Sequence, residues 1–230
     1  PHAGIPRLYG YSRLVVPRPP DWPPDWHVTG YWALDSATAV PPWEPPAALA
    51  AFLDAGPPPV YVGFGSMAPR SAGHLTEAAL QALRATGQRG ILASGWAGLG
   101  AASGAALPPE VFRIQEAPHD WLFPRMAAVV HHGGAGTTAA GLRAGVPAVV
   151  TPVFGDQPFW GQRVAALGAG PRPVPMRQVT AERLAGAIHQ ATTDARMRAT
   201  AAGLGRRLRA EDGVAQAVRA VEQHLGATPG

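Results

Sequence analysis

Hydrophobic positions change their rhythm at Val60. From there, short apolar runs alternate with longer Ala- and Leu-rich stretches. Val60-Tyr61-Val62-Gly63-Phe64-Gly65 reads as a buried strand ending in a tight turn. Residues 90–94, 111–115, 127–131 and 147–151 read as four more strands of the same kind. Between and after them, Leu75 to Ala85, Ala135 to Ala144 and Asp156 to Leu167 read as helices, the second stopped by Gly145 and Pro147. A further helix begins near Thr180, which can cap it. A last helix follows Asp212, with Val214, Val218, Val221 and Leu225 on one stripe. Short apolar strands alternating with helices imply an α/β protein: a Rossmann-like, doubly wound parallel sheet covered on both faces.

Residues 1–59 follow neither period. Pro19-Pro20, Pro23-Pro24 and Pro41-Pro42 forbid long helices there. The same stretch carries Trp22, Trp26, Trp32 and Trp43, with Tyr9, Tyr11 and Tyr31. So many aromatics argue against a disordered linker. The segment is expected to be extended chain that packs through its aromatics, followed by a short helix near residues 46–55.

Composition narrows the classes. The chain has 230 residues, 47% hydrophobic and 15% charged, enough for one large α/β domain with an appendage or for two small domains. The 19 basic residues are all arginine, giving a net charge of +4, and they are scattered. The one cluster, Arg196, Arg198, Arg206, Arg207 and Arg209, reads as a solvated helix face, and no nucleic-acid partner is expected. There is no cysteine, which excludes disulfides and cysteine-based metal sites or nucleophiles. No apolar run approaches the roughly 18 residues of a membrane span. The opening Pro1-His2-Ala3-Gly4 is neither a signal peptide nor an initiating Met, so the chain is expected to be a piece of something longer, cytoplasmic by default.

In a doubly wound sheet, ligands sit beyond the carboxyl ends of the strands. Four segments fall there. After the first strand, Gly65 and Ser66 offer close backbone approach and a hydroxyl; a plain turn explains them equally well. Residues 131–138, His-His-Gly-Gly-Ala-Gly-Thr-Thr, run from strand into helix. Small residues there leave the amides of a helix start open to an anion, and Thr137 and Thr138 add hydroxyls. The spacing is neither the dinucleotide fingerprint nor a P-loop. His132 is expected to reach a phosphate oxygen, and His131 to be buried and structural. Adjacent histidines could suggest a metal, but no third ligand lies nearby, and none is expected. The third segment holds Asp156 and Gln157 at a helix start; beyond ordinary capping, the pair suits bidentate reading of sugar hydroxyls. The fourth, residues 115–124, leaves the third strand where a nucleobase could meet backbone groups at Ala117, with Trp96 as another candidate wall and Trp121 and Phe123 as core.

Residues 116–124 (Glu-Ala-Pro-His-Asp-Trp-Leu-Phe-Pro), 131–138, 144–147 (Ala-Gly-Val-Pro) and 155–160 (Gly-Asp-Gln-Pro-Phe-Trp) together resemble the donor-binding signature of UDP-glycosyltransferases with the GT-B fold. The similarity is to the bacterial and fungal sterol 3-β-glucosyltransferase-like branch, akin to macrolide and glycopeptide antibiotic glycosyltransferases. It implies a C-terminal GT-B half with residues 1–59 as the end of the preceding domain and a linker, 60–210 as the nucleotide-sugar domain, and 211–230 as a helix crossing back. It implies that His132 contacts the diphosphate, beside the amides of Gly134, Ala135, Gly136 and Thr137. It implies that Asp156 and Gln157 hold the sugar, Ala117 meets uracil, and His119 stands where plant relatives have a Gln near the nucleoside. Two positions depart: Glu116 replaces the Trp on which plant relatives stack uracil, and Ala140 replaces their ribose-binding Glu. The implied reaction is inverting, metal-independent transfer from UDP-glucose or a similar donor to a lipophilic hydroxyl acceptor. The base and acceptor pocket, with any peripheral membrane contact, would lie in an N-terminal domain; no catalytic base is expected here. The UDP-sugar is a co-substrate, and no cofactor is expected. A binding module active only with a separate N-terminal chain, or a nucleotide-sugar epimerase, are the alternatives.

Overall fold

The computed structural model describes residues 6–34, 36, 41–64, 72–93 and 107–226. Gly65, Ser66 and Trp96 lie outside the described residues.

Two short strands, β1 (Arg7–Tyr9) and β2 (Trp26–Val28), pair in parallel, and α1 (Ala47–Asp54) follows. Then come β3 (Val60–Gly63), α2 (Ala72–Thr86), β4 (Gly90–Ala93), β5 (Val111–Ile114), α3 (His119–Leu122), β6 (Ala128–His131), α4 (Ala135–Ala144), β7 (Ala148–Val150) and α5 (Gln157–Ala166). Three helices end the described chain: α6 (Ala181–Thr193), α7 (Ala195–Arg209) and α8 (Gly213–Gly226). The expected strands and helices are all present, one or a few residues shifted at their ends. Thr180 caps α6 by accepting from the Arg183 amide.

The main sheet is parallel throughout, in the order β5-β4-β3-β6-β7. Successive side chains of a strand point to opposite faces, and the core divides accordingly. Val60, Val62, Leu92, Val111, Ala128, Val130 and Val149 pack under α2 and α6. Tyr61, Ile91, Ile114, Val129, Ala148 and Val150 pack under α4, α5 and α7. Apolar residues thus fill both faces of each strand, which is why the strands read as continuous runs and not as alternation.

The lead-in segment completes the second core. Val15, Tyr31 and Leu49 are buried with Leu142, Val164 and Leu208, and Trp43 packs on Trp121 at 4.9 Å between ring centroids. Arg163 donates to the Val15 carbonyl, and Ser12 Oγ donates to Glu211 at 2.7 Å. Tyr9, Trp22 and Trp26 form their own cluster, with Tyr9 and Trp22 centroids 4.4 Å apart. The expected aromatic packing is therefore present, and part of it is packing on the α/β core itself. All five arginines of the cluster on α7 are exposed. On α8, Val214, Val218 and Leu225 are exposed, with Val221 only slightly less so.

One close approach fixes where α4 ends. Gly145 caps it with φ of 78°, its amide reaching the carbonyls of Gly141 and Leu142. A Cβ on Gly205 of α7 would stand 2.5 Å from Gly145 Cα and 2.8 Å from its nitrogen. Backbone cannot yield as a side-chain tip does. Gly205→Ala should therefore lower unfolding free energy by about 1–3 kcal/mol despite alanine's better helix propensity. Urea denaturation with an unshifted midpoint would show that the two backbones do not meet.

Candidate functional site

The strand order reverses between β3 and β6: the chain runs outward through β4 and β5, then returns to lay β6 on the other side of β3. A crevice opens at the carboxyl ends of strands flanking such a switch point. The segment that begins there is the glycine-rich turn after β6.

His131 ends that strand and is fully buried. Its Nδ1 accepts the Gly133 amide at 3.0 Å, while Nε2 has no partner among the described residues. Burial, reinforced by His132 and His119, pushes its pKa down to about 3, so the ring stays neutral. Gly133 has φ of 91°, and a Cβ there would stand 2.6 Å from Val150 Cγ1 and 3.1 Å from the Gln157 carbonyl oxygen. Only glycine fits both conditions. The structural role expected for His131 is thus its observed one: it fixes the turn.

Gly134 precedes α4 and supplies no side-chain cap. A Cβ on Gly134 would lie 2.7 Å from His132 Nε2, so the imidazole lies directly over this glycine. Nothing stands within 4 Å of the Cβ position of Gly136. The first-turn amides of α4 therefore open outward beside an imidazole. His132 is half-buried; burial lowers its pKa, and nearby Asp156 opposes that. Thr138 departs from expectation. Its side chain is fully buried and its Oγ1 has no partner among the described residues, so it points inward, leaving Thr137, half-buried, as the hydroxyl that can serve the seat. Adjacent residues of a helix are rotated by about 100° about its axis, so Thr137 and Thr138 face different sides.

Asp156 and Gln157 are brought to this turn, since Gly133 faces the Gln157 backbone. Their surroundings differ. Gln157 is only 5% exposed, and its Oε1 accepts the amides of Val153 and Phe154 at 2.8 and 3.3 Å. It shapes the loop from inside. Asp156 is exposed and makes no cap bond; its carboxylate accepts Trp160 Nε1 at 2.7 Å.

Ala117 is half-buried, and neither its amide nor its carbonyl bonds to any described residue. His119 stacks on Phe123 at 4.2 Å between centroids, 15° from parallel. Burial lowers its pKa; Asp120 opposes this and His132 reinforces it, which places the two imidazoles near each other. Phe123 is fully buried, as expected; Trp121 is half-buried against Trp43 with Arg125 over its ring.

A cavity of about 860 Å³ runs from the start of α4 along its length. Ala135, Gly136, Ala139 and Ala140 form one wall, with His119 and Asp120 beside them. The opposite wall comes from the lead-in: Tyr9, Gly10, Tyr11, Tyr31 and Trp32. Trp32 is held by its indole donating to Thr29 Oγ1 at 2.9 Å and by Gly10 against its ring, where a Cβ would stand 3.2 Å away. Sequence reasoning found these aromatics without finding the wall. Gly10 between two tyrosines was the available signal. Among the described residues, no group of three or more His, Asp or Glu side chains could hold a metal ion, and no helix is long and apolar enough to cross a membrane.

The parallel five-stranded sheet matches that of glycosyltransferase structures of GT-B type. The structure of the kitacinnamycin glycosyltransferase matches over 95% of this chain and 54% of its own, with a TM-score of 0.76 and 25% identity. The chain belongs to the family of the C-terminal domain of erythromycin biosynthesis protein CIII-like proteins, whose pattern matches residues 100–223. It is 46% identical over 224 residues to a sterol 3-beta-glucosyltransferase of Arabidopsis thaliana, and 45% identical over 231 residues to one of Neosartorya fischeri. These alignments cover 97% and 96% of this chain but 34% and 16% of those relatives. One relative is a plant protein and the other fungal, so a bacterial placement finds no support in them.

The buried, neutral His131 has a consequence for acid stability. Its folded pKa lies below the ordinary 6.5, so protons bind the unfolded chain more readily. Its contribution to stability is complete above pH 6.5 and is lost as pH falls from there toward 3. His131→Asn keeps an acceptor for the Gly133 amide but does not titrate. Its denaturation midpoint should fall less steeply over that window than the parent's; parallel curves would refute the assignment.

Proposed function

We propose that this chain is the donor half of an inverting glycosyltransferase that holds a UDP-glucose-type nucleotide sugar for transfer to a lipophilic hydroxyl acceptor. The observation that carries this is the uncapped start of α4 at the sheet's switch point, with His132 over Gly134. Transfer builds negative charge on the departing diphosphate. Preorganised amides and an imidazole N–H aimed at that charge stabilise the transition state more than the ground state. A neutral His132 protonated on Nε2 is a donor there without being a cation. These groups serve the leaving diphosphate without a metal.

The other assignments follow the order of the cleft. Ala117 offers the base edge an amide and carbonyl that bond to no described residue, and His119 lies near it toward His132. Asp156, exposed beside His132, takes the sugar hydroxyls, while Gln157 holds the loop that presents it. The acceptor pocket and the base that deprotonates the acceptor would lie in the larger part of the protein, since the chain spans about one third of its plant relative. Sterol-like acceptors are favoured by the names of the relatives. The exposed apolar stripe of α8 and the two-stranded β1–β2 sheet suit contact with that larger part.

Titration calorimetry separates the roles. The chain should bind UDP and UDP-glucose without transferring sugar. His132→Ala should weaken both by about tenfold or more, the loss of a hydrogen bond to a charged group. Asp156→Ala should weaken UDP-glucose by a similar factor and leave UDP within about twofold. No heat with either nucleotide, or His132→Ala binding as the parent does, would sink the proposal.

A further inference from the structure

A nucleoside diphosphate seated on α4 must lay its ribose against a helix wall with nothing to offer it. Ala135, Gly136, Ala139 and Ala140 present methyl groups or hydrogen to the cavity. The ribose diol is a pair of hydroxyl donors, and its natural partner is a group that only accepts. A carboxylate is that group, with two oxygens and about four lone-pair sites. Among the described residues lining the cavity there is one carboxylate, Asp120.

Its place in the chain fits the ligand's order. Ala117, whose backbone groups bond to no described residue, lies three positions before it, and His119 immediately before. The two arginines of the cavity are less suited. Arg143 and Arg209 can only donate, and they point guanidinium nitrogens at the carbonyls of Leu208 and Arg143. Asp120 is also held still. The amide and hydroxyl of Ser36 both donate to its Oδ2 at 2.6 Å. Burial alone would raise its pKa, but these bonds and the amides at the start of α3 outweigh that and keep it ionised. Both Ser36 donors fall on Oδ2, so Oδ1 carries neither of them.

We propose that Asp120 is the specificity residue for the ribose diol of the nucleotide, reading it from α3 across the cavity from an α4 wall that cannot. This rests on the nucleotide-donor reading above. It implies that the site distinguishes a ribonucleotide from its 2′-deoxy counterpart.

The test is titration calorimetry of the chain with UDP and with 2′-deoxy-UDP. The parent should prefer UDP by about tenfold, the magnitude of one charge-assisted hydrogen bond. Asp120→Asn should weaken UDP by about that factor, leave 2′-deoxy-UDP within about twofold, and so bring the ratio near one. Asp120→Ser, which removes the carboxylate entirely, should give the same ratio. A parent that binds both nucleotides equally overturns the proposal without any variant being needed. So does a variant that weakens both equally and keeps the ratio. A parent that binds neither overturns the donor reading itself, and this proposal with it.

Discussion

The site depends on one contact: the amide of Gly133 held by the buried Nδ1 of His131. That bond draws the chain back onto β6 within two residues and takes the turn through a left-handed glycine pressed between Val150 and Gln157. Because the turn is so short, α4 begins almost at the end of the strand. Its dipole therefore starts at the crevice and not a loop's length away, and the effect of a helix terminus falls off within its first turn. An uncapped helix start is ordinarily a defect, worth about 1 kcal/mol to repair with a serine or aspartate. Gly134 at that position leaves the defect available to a ligand.

The imidazoles of His131, His132 and His119 all have pKa values pushed down chiefly by burial. His132 adds to this at both His131 and His119, and His119 adds to it at His131, which is the electrostatic sign of their closeness. The donors gathered at the glycine-rich turn are therefore oriented backbone dipoles and an imidazole whose cationic form burial disfavours. Dipoles fixed by the fold need no reorganisation when charge develops on a leaving group.

Much of this was legible in the sequence, because it is local. The strands announced themselves as apolar runs, and the turn after β6 as glycines between a strand and a helix. What was not legible is what depends on distant partners. Periodicity does not encode strand order, so the switch point between β3 and β6 appears only in the fold. Gln157 beside Asp156 looked like half of a polar pair. It is buried because Gly133, brought in from another strand, abuts its backbone and because its oxygen serves the loop behind it. Thr138 beside Thr137 looked like a second hydroxyl, but the helix turns it inward. The aromatic lead-in was recognised as something that must pack; that Val15, Tyr31 and Leu49 share a core with α4, α5 and α7 could not be read from a stretch without period.

The cavity divides two tasks between two kinds of element. The anion is held by backbone, through a helix start that any sequence with small residues there would reproduce. Discrimination cannot come from the same wall, since its residues are alanine and glycine. It has to come from side chains carried by α3 and by the lead-in. Both are anchored independently of the ligand: His119 on Phe123, Asp120 by Ser36, Trp32 by Thr29 and Gly10. Groups locked before binding lose little further freedom on binding, so their hydrogen bonds appear as affinity and selectivity. A small-residue helix face is then no loss of specificity. It lets the nucleotide lie close along α4, within reach of the wall that can tell one nucleotide from another.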